Sequence, residues 1–538
     1  MPDQVLLDAT RLRQLQAEIG KLLQPGPAQP ALSDTGIVVW EDDPYLSALD
    51  GVPPIGAQTV PATAVVDDLP LKFVIAGAQP PVGSYSTTTS EFRYLNAKAA
   101  VDRGVRFWCT ALPPGTQWSS LTQPLQVSLD VSDPVTLNAF YARDTGLNFF
   151  HDLVSQTTIF SGESPDVVCH ELGHAILDAV KPELFDAMSL EIAAFHEAFG
   201  DISSILSALQ LPSVREAVLR QTGGVLNSNS RLSQLARQLG WGLRGKFGPG
   251  AADPDCLRNA ANAFFYQDPS ALPPTAPSSQ LSSEPHSFSR VFSGAFLDLL
   301  AAMFQSGPQP RDGNSLQQVA GAAGQLLIEG VRLAAVGSGY YSQVAAGMLQ
   351  ADQTLNGGRN SAALSSSFVR RGILSPTSAV AVARDVRTSG GNKLALRTAV
   401  GGPESAARFL LFDGDNEGYK RTGANVPSLP IRPLRTHFGI TLYVHMPSEP
   451  NRFAAAPAAV AGGTADSISR EQDAQSFVED LFQLNRIDAP PNVLPSELVL
   501  SGAPGFAGSK THVLKLEEGL TVLKRRYFDC GFCRRRAL

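Results

Sequence analysis

The sequence predicts an α+β protein: a strand-containing lobe, a mainly helical lobe, and a separate β-rich domain at the C-terminus. Three observations predict it. Strand-like runs cluster within residues 61–135. From about residue 136 to 375 the apolar residues recur with a period near 3.6. After the SPTSA turn at 375–379, short alternating segments return. These texture changes divide the chain into 1–60, 61–160, 161–376 and 380–538, and 538 residues are too many for one ordinary core.

Residues 1–60 read as a short amphipathic helix followed by a Pro/Gly-rich connection, PGPAQP and DGVPPIGAQ. Strands are expected at Leu71–Ala76, Val105–Leu112 and Leu125–Val131, with a helix at Glu91–Asp102 between the first two. Long helices are expected beyond 136, broken by the polar, Pro- and Ser-rich loop Asp268–Pro285. In 380–538, FLLFDGD, FGITLYVHM and VLKLEEGLTVLKRR read as strands, the last as a hairpin turning near Glu518-Gly519.

Hydrophobic residues make up 43% of the chain and charged residues 17%, a globular composition. The net charge of −7 is spread along the sequence and gives no electrostatic case for a nucleic acid or an anionic membrane as partner. No run of about 18 apolar residues predicts a membrane span. The N-terminal stretch lacks the pattern of a secretory signal, so a cytoplasmic location is expected, with export by a route without a cleaved signal left open. Five cysteines do not make a disulfide scaffold. Cys530-Gly-Phe-Cys533 is a lone CxxC without a second pair. The Asp413–Gly418 run lacks the closing acid of a calcium loop, since its twelfth position is Ala424.

The chemistry concentrates in residues 164–180, SPDVVCHELGHAILDAV. Ser164 suits an N-cap and Pro165 the first helical turn. His170 and His174 are one helical turn apart on one face, so both imidazoles can reach one ion. Glu171 stands beside the first of them, where a carboxylate can take a proton from a metal-bound water. Cys169 faces about 100° away from its neighbour and reads as core.

A third ligand is expected from the next helix, SLEIAAFHEAFGDISSILSA at 189–208. Glu197 and Asp201 share a face of it. Glu197 completes a His/His/Glu set, and Asp201 is placed to accept the free ring N–H of a ligand histidine. The helix is apolar on most sides, so these acids are expected to be buried and to need partners. Glu191 and His196 are the rival ligands. Glu191 sits nearer the helix start, where the dipole welcomes a carboxylate; His196 points away from the Glu197–Asp201 face.

HELGH followed by HEAFGD resembles the thermolysin-like gluzincin zinc metallopeptidases, whose pattern is HExxH and then NExxSD on the following helix. The resemblance covers roughly 130–376. It implies a zinc ion held by His170, His174 and Glu197, with Glu171 as general base and Asp201 supporting a ligand histidine. It implies peptide-bond hydrolysis, most simply as an endopeptidase with a peptide or protein substrate. LSSEPHSFSRVFSGAFLDLL resembles the segment whose histidine stabilises the transition state, which places that role on His286. LRNAANAFFYQDPSALP resembles the loop between the third ligand and that histidine, and 340–374 the closing helices.

The chain also departs from the family. The span of 22 residues between His174 and Glu197 is longer than usual. No tyrosine lies between Glu171 and Asp201 to hold an oxyanion; Phe185 and Met188 stand there instead. No arginine lies between Asn259 and Pro285, which leaves Arg290 to take the substrate-binding role. No acidic cluster follows Asp201, so calcium is not expected. A metal-bound but catalytically silent binding protein is the competing expectation, and the oligomeric state is left open.

Overall fold

Alternation of apolar and polar residues in LQVSLDV buries Leu125 and Val127 on one face, and this strand anchors the first lobe. The computed structural model describes residues 36–44, 57–61, 69–131, 137–307, 309–379, 429–437, 439–447, 469–489, 510–517 and 519–530. The expected N-terminal helix, FLLFDGD, the Asp413–Ala424 run and Cys533 lie outside these residues.

The chain order begins with β1 (Gly36–Trp40), β2 (Ala57–Pro61) and β3 (Phe73–Ile75), then α1 (Ser90–Cys109). Next come β4 (Leu125–Val131), β5 (Ala139–Ala142), β6 (Gly146–Val154) and β7 (Thr157–Phe160). The helical lobe holds α2 (Pro165–Val180), α3 (Glu183–Asp186), α4 (Leu190–Ala208) and α5 (Pro212–Thr222). It continues with the short β8 (Gln234–Leu235), α6 (Arg237–Phe247) and β9 (Arg258–Asn259). Four more helices follow: α7 (Pro285–Ser306), α8 (Gly313–Leu333), α9 (Tyr340–Asn356) and α10 (Ser361–Arg370). The C-terminal part comprises β10 (Ile431–Arg435), β11 (Thr441–His445), α11 (Arg470–Gln483), β12 (Ile487–Asp488), β13 (His512–Glu517), β14 (Leu520–Arg525) and β15 (Phe528–Asp529).

The architecture is mixed α+β with two multi-stranded sheets. One has the order β15-β5-β6-β4-β3, with β7 also pairing β6; the other runs β10-β11-β14-β13-β12. The strand expected at Leu125–Val131 and the hairpin around Gly519 are present, with Glu517 opposite Leu520.

Two expectations are corrected. Val105–Leu112 is not a strand, because residues to Cys109 continue α1. Its β-branched and aromatic residues suggested a strand, but Val101, Val105 and Trp108 recur at helical spacing and are all fully buried. The helical period also does not begin at 136, since β5, β6 and β7 occupy 139–160. The first half of β6 is buried on both faces, so it shows no alternation to betray it.

The two helices of the HExxH and HEAFGD segments cross at closest approach through glycine. A Cβ on Gly173 would lie 2.9 Å from Gly200 Cα, and one on Gly200 would lie 2.6 Å from the His170 ring. Trp108 of α1 closes the far side. It stacks on Phe199 at 4.9 Å and donates its indole N–H to Ser203 at 2.9 Å. Helix α7 is long and apolar enough to cross a membrane, yet 94% of that apolar window is buried, so it is the core helix of the lobe. The C-terminal sheet packs onto the start of α4. Met188, Leu190 and Ala193 share one apolar cluster with Leu442, Phe477, Leu514 and Leu523. Backbone bonds reinforce the junction: Met188 N–H donates to His445 O, and Leu190 N–H to an Asp473 carboxylate oxygen, both at 3.0 Å.

Candidate metal centre and cleft

Ser164 caps α2 by accepting from Val167 N–H, and Pro165 occupies the first turn, so the helix starts where the sequence places it. His170 and His174 then project from one face, their rings 4.9 Å apart and nearly perpendicular. Ser189 caps α4 in the same way, and Glu197 rises from its buried middle to meet them. One ligand atom each from His170, His174 and Glu197 lies within 4.8 Å of the others, all three residues buried. His170 Nε2 stands 3.3 Å from Glu197 Oε2, and His174 Nε2 stands 3.6 Å from Glu197 Oε1.

These atoms have the character of a ligand set. Nε2 of both histidines and Glu197 Oε2 are buried without a hydrogen bond of proper geometry, as are both carboxylate oxygens of Glu171. Buried polar atoms are ordinarily satisfied, and a shared cation satisfies these. Burial pushes His174 down to about 3, which keeps it a neutral imidazole ready to coordinate. Burial acts on Glu197 in the opposite direction, but the surrounding histidines His286, His174 and His170 outweigh it. They hold the carboxyl well below its usual range, as an anion. The site therefore supports metal coordination by two imidazoles and a carboxylate.

His170 also has its support in place. His170 Nδ1 lies 3.1 Å from Asp201 Oδ1, fixing the ring with Nε2 forward. Burial penalises the His170 imidazolium, but Asp201 and Glu197 outweigh that and raise its pKa to about 9. Asp201 is gripped in turn by Arg258, whose Nη2 and Nε donate at 2.7 and 3.1 Å. Burial raises Glu171 to about 8, opposed chiefly by His170.

The rivals are placed elsewhere. Glu191 receives the Tyr266 hydroxyl and, at 2.9 Å, Tyr341 N–H. His196 stacks on His174, ring centroids 5.7 Å apart, and does not join the cluster. Cys169 is core and donates its thiol to Ala100 O.

His286 reaches the cluster from the first turn of α7. Its Nε2 is 3.0 Å from Glu197 Oε2, and Glu284 holds its Nδ1 at 2.5 Å. Arg290 does not reach this cleft. Its guanidinium bonds Ser287, Gln280 O and Ser278 O, pinning the loop before α7. The arginine at the site is Arg258, one position before the Asn259–Pro285 stretch. Its signal was an arginine directly after the apolar Cys256-Leu257 pair; the structure buries all three, with Arg258 as the first residue of β9.

Part of the C-terminal chain lies against the cluster. Strand β15 lies along the outer edge of β5, antiparallel, with Phe528 opposite Tyr141 and Asp529 opposite Phe140. Asp529 O lies 2.7 Å from His286 Nε2. Cys530 N–H donates to Ala139 O at 2.9 Å, and Arg258 Nη1 donates to Cys530 O at 3.2 Å. The Phe528 ring stacks on His196 at 4.0 Å and on His174 at 5.0 Å.

No protein-family model and no curated protein matches the chain. The reading of the centre therefore rests on its own geometry.

Proposed function

We propose that the chain is a zinc-dependent peptidase of the gluzincin type, acting as an endopeptidase on extended peptides. His170, His174 and Glu197 would hold the metal and Glu171 would be the general base. The observation that carries the reading is the convergence of buried, unpartnered ligand atoms with the unpartnered Glu171 carboxylate beside them. Two imidazoles plus one carboxylate, with room for one further ligand, is a donor set typical of catalytic zinc.

Zinc, when bound, would lower the pKa of a coordinated water to about 7 and polarise a carbonyl. The chain's own groups do the rest. Glu171 takes the proton of the attacking water and delivers it to the leaving nitrogen. His286 donates from Nε2 to the reacting carbonyl oxygen, its ring held by Glu284. Arg258 takes the next carbonyl along, and the edge of β5, once β15 leaves it, receives the peptide as an added strand.

A metal-bound binding protein without turnover is the second reading. It is favoured by the absence of any tyrosine between Glu171 and Asp201. The test is metal removal. Labelled unfolded casein, offered to the wild type and to Phe528→Ala/Asp529→Ala, is expected to be cleaved by the variant, with cleavage stopping on chelation and returning with about one zinc per chain. Hydrolysis that survives chelation, or none from either zinc-loaded protein, would overturn the peptidase reading.

A further inference from the structure

We propose that the cleft is a peptide-binding groove whose resident ligand is the chain's own segment Tyr527–Cys530, docked in the register of a substrate so that it excludes other peptides. The inference rests on the reading of this cleft as a peptide site, but it makes no demand on catalysis.

The segment is bound in the way an edge strand binds any extended peptide, through main-chain groups. The Asp529–Cys530 peptide is the one that meets His286, whose Nε2 also stands 3.0 Å from Glu197 Oε2. Its carbonyl oxygen meets His286 and its N–H meets Ala139 O, while Arg258 holds the carbonyl that follows. These are groups a passing peptide would need, and all are engaged from within the chain.

Side chains lock the register. Asp529 pairs with Arg486 through two contacts of 3.0 and 3.1 Å, both partners buried. Phe528 is clamped between the His196 ring and the Arg525 guanidinium, which lies 4.2 Å from its centroid. Tyr527 stacks on Phe140 of β5 at 4.7 Å. A cavity of about 30 Å³ remains beside Glu197, lined by His286, Arg486 and Phe528, with room for a water or two and not for a second peptide.

Delivery of the segment is built into the C-terminal sheet. Strand β14 ends at Arg525, whose Nε donates to Phe185 O at 3.0 Å, and the chain enters the cleft two residues later. With the sheet packed on α4, so short a tether gives an effective concentration on the order of millimolar or above, which a free peptide must exceed. Adding water across the Asp529–Cys530 bond would release only the residues after Asp529. Phe528 and Asp529 would stay in place, so occlusion does not depend on that bond remaining intact.

The test uses the full-length, metal-free, reduced protein. Alkylation by iodoacetamide, mapped by mass spectrometry, reads the docking of Cys530 against the buried core thiols Cys169 and Cys256. In the wild type, Cys530 is expected to react as slowly as those two. In Phe528→Ala/Asp529→Ala it is expected to react at least about tenfold faster while Cys169 and Cys256 stay protected. A fluorescent peptide of residues 525–532 should bind that variant and not the wild type.

A wild-type Cys530 as reactive as the same residue in the free peptide would overturn the proposal. So would a folded variant that fails to bind the peptide. Should the variant expose Cys169 as well, hydrogen exchange at the wild-type Cys530 amide decides: protection supports docking, and peptide-like exchange overturns it. A variant that binds the peptide but, loaded with zinc, never cleaves it would leave this inference standing and remove the proposed peptidase activity.

Discussion

Glu171→Gln is expected to keep about one metal ion per chain and to lose peptide hydrolysis by roughly 10²–10⁴-fold. Glu171 is no part of the ligand cluster, so removing its charge leaves His170, His174 and Glu197 able to bind. Both of its oxygens are buried without a hydrogen bond, and burial raises its pKa to about 8. In the metal-free protein at neutral pH its carboxyl is therefore largely protonated, and a neutral amide of the same shape costs the fold little. Only a proton-transfer role is lost. Metal content by elemental analysis and kcat/KM on the Phe528→Ala/Asp529→Ala background check this. Loss of the metal, or cleavage undiminished, would contradict the role given to Glu171.

Arg258→Met is expected to destabilise the metal-free protein by about 3–5 kcal/mol. Arg258 and Asp201 are both buried, and the guanidinium fork is the closest cationic partner of that carboxylate, at 2.7 Å. Burial works against the Arg258 cation, but the charge of Asp201 outweighs it and holds the group protonated. Methionine fills the space and leaves an anion with only the His170 ring to balance it. Urea unfolding of wild type, Arg258→Met and the double variant Arg258→Met/Asp201→Asn measures the effect. The double variant should recover much of the loss, since it removes the stranded charge. A single variant within about 0.5 kcal/mol of wild type would show that the pair is not a buried structural element.

The sequence displayed the centre better than the cleft. His170, Glu171 and His174 were legible because a four-residue spacing on a capped helix leaves little freedom in where the side chains go. Glu197 and Asp201 followed from a second helix too apolar to carry idle acids, and the structure brings both to the first helix. Arg258 escaped because its work is defined by partners distant in sequence, Asp201 and Cys530, 57 and 272 residues away. Arg290 was the nearer arginine and is spent on its own loop.

In the fold, Leu125–Val131 and the Gly519 hairpin announced themselves by alternation or turn chemistry. Residues 105–109 misled because β-forming residues tolerate a helix when its buried face needs bulk. The placement of β15 on β5 could not be read at all. A two-residue strand carries no periodic signal, and its pairing depends on the C-terminal sheet docking on α4.

X-ray absorption at the zinc edge of the stoichiometrically loaded protein reads out directly whether the metal is held by two histidines and a carboxylate. The expected spectrum shows imidazole scattering from two histidines and a first shell of nitrogen and oxygen at about 2.0–2.2 Å, with no sulfur. The His174→Ala variant should lose one imidazole or the metal altogether. A sulfur shell at about 2.3 Å, or an oxygen-only shell unaltered by His174→Ala, would contradict it.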